Sequence, residues 1–101
     1  MTLHRLHYFI ALGQSGNPPD IDLLMEALVA QADLSTYKLV DYALSHVTTA
    51  EGVSRLRHYL FHGQRTQRNY AALYFKRRGF ADLLQEALAQ GKIDWEQGFA
   101  E

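Results

Sequence analysis

The sequence predicts an all-α domain built as a stack of short paired helices, and three observations carry that prediction. Leucines and other apolar residues recur at three- and four-residue intervals in almost every segment, as the inner face of a helix requires. Glycine, proline and capping residues punctuate these segments at intervals of a helix length. The chain also nearly repeats itself. Leu23-Leu24-Met25-Glu26-Ala27-Leu28 returns sixty positions later as Leu83-Leu84-Gln85-Glu86-Ala87-Leu88, with five of six residues the same. Gln31 and Gln90 follow the two copies, and Arg5 to Gly16 aligns more loosely with Arg68 to Gly79. Repetition on this scale marks helical arrays, whose single repeats cannot bury their apolar faces alone.

Taken in order, Leu3, Leu6 and Ile10 define the inner face of a first helix, which Gly13 and Gly16 end. Pro18-Pro19-Asp20 opens the second, because proline is tolerated in the first turn, and Ile21, Leu24 and Leu28 point inward. Asp33 or Ser35 caps a third helix with Val40, Ala43 and Val47 inside. Thr48 or Thr49 caps a fourth, with Glu51 near its positive end and Val53, Leu56 and Leu60 on its apolar face. Gly63 breaks it. Thr66 caps a fifth that runs to Arg78, where cations suit the negative end of the dipole and Gly79 stops the helix. A sixth spans about Phe80 to Gln90 and stops at Gly91. In the tail, Trp95 and Phe99 are expected to fold back over this last helix. The loops are short and there is no linker, so residues 1–101 read as one domain.

Composition narrows the function. The 101 residues include no cysteine, which excludes a disulfide framework, a thiolate metal site and a cysteine nucleophile and suits a reducing, cytoplasmic setting. The apolar stretch Tyr8 to Leu12 is too short for a signal peptide, and no run approaches the roughly 20 apolar residues of a membrane span. There is no G-x-S-x-G elbow, P-loop or G-x-G-x-x-G, so neither an enzyme nor a cofactor is expected. Asp20 and Asp22 stand at a helix start, where capping explains them.

The net charge of −1 conceals a segregated distribution. Residues 1–51 carry two cations against six acids, residues 52–81 seven cations and no acid, and residues 82–101 one cation against five acids. Such blocks create local fields that the sum hides. Arg65, Asn69, Ala72 and Lys76 share a stripe on the fifth helix with Arg68 at its edge, and Arg55, His58 and His62 share one on the fourth. Tyr59, Phe61, Tyr70, Tyr74 and Phe75 are interleaved with them, a combination that anionic ligands can use. The competing explanation is a solvated face with arginines paired to acids and aromatics in the core. His58 and His62 have the i, i+4 spacing of paired metal ligands, but no carboxylate lies between Glu51 and Asp82 to supply a third. They therefore read as surface or core-edge histidines, as do His4 and His7, and no metal is expected.

With these residues in view, the chain resembles the HEAT-repeat family, in particular the short bacterial HEAT-like type also found in phycobilisome lyases. LLMEAL and LLQEAL are similar to the LLxAL helix of that repeat. RNYAALYFKRRG, with Ala71-Ala72 in the small-residue positions, and RLHYFIALGQSG resemble its xRxxAAxxLxxxG helix; Tyr37 to Val47 is a degenerate copy. The resemblance covers roughly residues 3–90. It implies a right-handed α-α superhelix of about three helix pairs, a structural pairing role for Arg5 and Arg68, and a binding role for the whole. The expected function is a protein-interaction module, adaptor or scaffold, that meets an acidic partner through Arg55, Arg65, Arg68, Tyr70, Tyr74, Lys76 and Arg77. A nucleic-acid-binding module using the same residues is the alternative, and an accessory subunit of a lyase-like enzyme the third. The first helix lacks a polar cap, so the Leu3–Leu12 end is expected to be covered by a second copy, as a homodimer, or by a partner.

Overall fold

In the computed structural model, which describes residues 3–99, Gly16, Gly63, Gly79 and Gly91 each follow the end of a helix, whereas Gly13, also expected to end the first, lies inside it. The helices are α1 (Leu3–Ser15), α2 (Pro18–Ala30), α3 (Leu34–Leu44), α4 (Ala50–His62), α5 (Arg65–Arg77), α6 (Ala81–Ala89) and α7 (Trp95–Phe99). Among the described residues there is no strand, and no helix is long and apolar enough to cross a membrane. Among the described residues seven helices thus stand where six were expected, because the tail has its own start signal. The Asp94 carboxylate accepts the Gln97 amide at 2.7 Å, and the Gln97 side chain accepts the Asp94 amide at 2.8 Å, a reciprocal cap that nucleates α7.

The other caps settle open alternatives. Asp33, not Ser35, caps α3 by accepting the Thr36 amide at 2.7 Å. Thr49, not Thr48, caps α4: its hydroxyl accepts the Gly52 amide at 3.0 Å and donates to the Gly16 carbonyl at 2.7 Å. The expected Thr66 cap is corrected to Gln64, whose amide donates to the Gln67 side chain at 2.8 Å. A glutamine pair does here what a hydroxyl usually does, so the threonine two residues on misled the boundary. Gly16 and Gly79 end α1 and α5 with φ of +62° and +77°, a left-handed conformation that glycine enters without steric cost.

The chain divides into two compact units, the first ending at Leu56 and the second beginning at Arg57. In the first, α1, α2 and α3 each pack on the other two. Its core holds Phe9 and Leu12 from α1, Ile21, Leu24, Met25 and Leu28 from α2, and Leu39, Val40, Ala43 and Leu44 from α3. Val47 and Leu56 are also buried. Each full burial of such a side chain contributes about 1.5–3 kcal/mol. The inner face of α1 is shifted from the expected one: Phe9, Leu12 and Gly13 are buried, whereas Leu6 and Ile10 are only half-buried. Facing two helices at once demands this wider face. At Gly13 the α1 backbone lies close against α3, since a Cβ there would be 2.0 Å from the Ala43 carbonyl oxygen.

In the second unit, α5, α6 and α7 likewise pack on one another in every combination. Leu60, Ala71, Ala72, Phe75, Leu84, Ala87 and Ile93 are buried. The tail is anchored through Ile93 and not Trp95, which is 61% exposed; the Phe99 side chain lies outside the described residues. Each unit thus contains three helices that all pack on one another. The two copies of the leucine motif fall on α2 and α6, their loosely matching partners on α1 and α5, and an Asp-capped helix follows each.

Candidate functional site

The cations of residues 52–81 have unequal environments, and these decide which of them can meet a ligand. Arg55, half-buried on α4, donates from Nε to Oδ1 of Asp22 at 2.7 Å and from Nη2 to Oδ2 at 3.1 Å. Such a two-point contact fixes both side chains and occupies the guanidinium edge. Arg57 is exposed and lies 3.9 Å from the Glu86 carboxylate, a contact that solvent weakens. Both cations thus have acidic neighbours, the explanation that competed with a binding role.

Arg68 is engaged inside the fold, with carbonyls and not with acids. Its Nη1 donates to the Gly63 carbonyl and its Nε to the Lys92 carbonyl, each at 2.8 Å. Arg5 has the same task in the first unit. Its guanidinium donates to the Gln31 side-chain oxygen and to the Thr36 hydroxyl, the latter at 2.7 Å. Each arginine thereby reaches the segment that follows the leucine-motif helix, tying the turn before the third helix to the first. A planar cation with five donors suits acceptors spread across a turn.

The aromatic anchors are also corrected. Tyr74 is buried, at 4% exposure, and lies edge-on to Phe75 with ring centroids 5.2 Å apart. Burial raises the pKa of its phenol, and the charge of Arg78 opposes that rise. The Arg78 guanidinium covers the Tyr74 ring at 4.6 Å from its centroid. Tyr74 is therefore a core residue with a cationic lid and cannot be a free contact for a partner. Tyr70 is half-buried. Ala72, expected on the surface stripe, is buried, and Asn69 accepts from Gln97 Nε2 at 3.2 Å, so α7 covers that flank of α5.

What remains open to solvent on α5 is Arg65 at its first turn, Arg77 at its last, and half-buried Lys76 beside it. Among the described residues neither Arg65 nor Lys76 makes an ion pair. The structure thus retains Arg65, Lys76, Arg77 and the edge of Tyr70 from the expected set, and turns Arg55, Arg68 and Tyr74 to internal tasks.

Sequence reasoning missed one feature. Trp95, expected to fold back over the preceding helix, is exposed at the start of α7. Its position directly after the capping Asp94, matching Leu34 after Asp33 (66% exposed), was the available signal. His58 and His62 are both exposed on α4, with ring centroids 5.0 Å apart. Among the described residues no group of three or more metal-ligating side chains is found. Set against known protein families, characterised proteins and solved structures, the chain matches none.

Proposed function

We propose that the chain is a protein-interaction module of the helical-repeat type, which docks an acidic partner onto the solvent-facing cations of α5. The observation that carries this reading is charge segregation that outlasts internal pairing. Seven cations and no acid occupy residues 52–81, and Arg65, Lys76 and Arg77 keep access to solvent after Arg55 and Arg68 have taken internal partners. A preformed basic strip accelerates encounter with an acidic surface and rejects basic ones. Tyr70 at its edge supplies the apolar contact area that interface aromatics provide.

The finer architectural reading is a HEAT-like right-handed superhelix. It draws support from the leucine motif on α2 and α6, the matching arginines on α1 and α5, and the close helix approach at Gly13. A reducing, cytoplasmic setting agrees with the absence of cysteine. A second copy against α1, giving a homodimer, is consistent with Tyr8, which is 52% exposed there. Sedimentation that gives a monomer at high concentration rejects that pairing.

The test is a pull-down with the wild-type chain and with Arg65→Glu/Lys76→Glu/Arg77→Glu, each divided into nuclease-treated and untreated halves. A defined protein that survives nuclease and is lost with the charge reversals supports the reading. Partners that ignore the reversals reject it. Material that vanishes with nuclease, and whose binding falls steeply with salt, points instead to the nucleic-acid alternative on the same cations.

A further inference from the structure

We propose that His58 and His62 form a two-imidazole surface chelate for a borderline transition-metal ion, of the class Cu2+, Ni2+ or Zn2+. One turn of helix separates the residues, so their Cβ atoms project from the same face of α4 about 5–6 Å apart. The rings lie with centroids 5.0 Å apart and planes inclined by 38°, and both are exposed. Rotation about χ1 and χ2 of these exposed side chains can turn a nitrogen of each toward one ion. Tyr59 stands edge-on to His58 at 5.7 Å and limits one side of that rotation.

Two further observations favour a cation here despite the basic composition of the segment. His62 is the last residue of α4, so the site lies at the negative end of the helix dipole. The positive charge nearby is partly offset, since Arg55 is paired with Asp22 at 2.7 Å and Arg57 lies 3.9 Å from Glu86, while Arg65, three residues beyond His62, makes no ion pair among the described residues. The donor set chooses the metal. Two neutral imidazoles without carboxylates do not hold the oxygen-seeking Ca2+ or Mg2+, whereas they suit Cu2+, Ni2+ and Zn2+, with Cu2+ held most tightly. Water completes the coordination, which leaves exchangeable positions open to a further ligand.

The test uses the full chain and Cu2+ alone, titrated by calorimetry and followed by electron paramagnetic resonance. The variants are His58→Ala and His62→Ala, with His46→Ala as a control on α3-proximal imidazole and His4→Ala/His7→Ala as a control at the amino terminus. The wild type is expected to bind one ion at this site, with nitrogen couplings from two imidazoles. Either single variant at the site weakens that event on the order of a hundredfold, because the second imidazole acts intramolecularly. The metal should also raise the melting temperature of the wild type and leave that of His58→Ala unchanged, since an ion that binds only the native state stabilises it. The exposed positions allow alanine without loss of core, and circular dichroism checks that. Binding that persists in His58→Ala and His62→Ala, or that disappears only in the amino-terminal control, overturns the proposal.

Discussion

Gly13→Ala tests the packing argument most directly, because two opposing effects of known size compete at one methyl group. In an exposed helix interior the exchange would stabilise the fold by about 0.5–1 kcal/mol, through the lower chain entropy of alanine. At Gly13, however, the new Cβ falls 2.0 Å from the Ala43 carbonyl oxygen and 2.8 Å from its carbon. An ordinary C–H···O contact needs about 3.3 Å, so α1 and α3 must part locally by roughly 1.3 Å. The obstructing atom is backbone and cannot rotate away. Overpacking of this kind costs about 1–3 kcal/mol, and the loosened contacts of Phe9 and Leu12 place the effect at the upper end. The net expectation is a loss of about 2 kcal/mol, or roughly 10 °C in melting temperature for a domain of this size. Thermal and urea denaturation followed by circular dichroism measure it. Gly79→Ala is the control: nothing lies within 4 Å of its Cβ, and only the φ of +77° opposes the methyl, at about 1–2 kcal/mol. A Gly13→Ala protein that melts at or above the wild-type temperature would refute the close-packed α1–α3 contact.

Three further predictions follow from the site and its supports. Arg68→Ala should lower stability by about 2 kcal/mol, since it strands the Gly63 and Lys92 carbonyls, whereas Arg65→Ala should leave the melting temperature within about half a kcal/mol of wild type. The opposite ranking in denaturation would reverse the roles assigned to the two arginines. Asp33 has its pKa held below the ordinary 3.8, chiefly by the Thr36 amide and hydroxyl, so the unfolded chain binds more protons than the folded one in that range. Its contribution is therefore present above pH 3.8 and lost as pH falls through the lower folded value; Asp33→Ala should flatten the acid limb of the stability profile, and an unchanged limb would count against the cap. Trp95, the one tryptophan, should emit as a solvent-exposed indole and be quenched by acrylamide nearly as freely as a model compound. A blue-shifted, protected emission would show that the indole is packed against the fold.

By itself the sequence determined the helical class, the main stops and part of the core. Ile21, Leu24, Leu28, Val40, Ala43, Val47, Leu56 and Leu60 were read as inward from spacing alone, and all are buried. The reason is local: helix periodicity and glycine termination act over a few residues, so a linear reading contains them. It also carried the charge segregation, which is a property of composition. Which cations serve the fold was decided only in three dimensions. Arg55 meets Asp22 and Arg68 meets Lys92, partners 33 and 24 positions away that helix periodicity does not connect. Tyr74 and Tyr70 sit on one helix, four residues apart, yet the packing of α5 buries the first and leaves the second half-open. The inner face of α1 turned from Leu6 and Ile10 toward Phe9, Leu12 and Gly13 because two helices, not one, lie against it. Side-chain roles depend on what packs against each face, and that is set by contacts between segments distant in the chain.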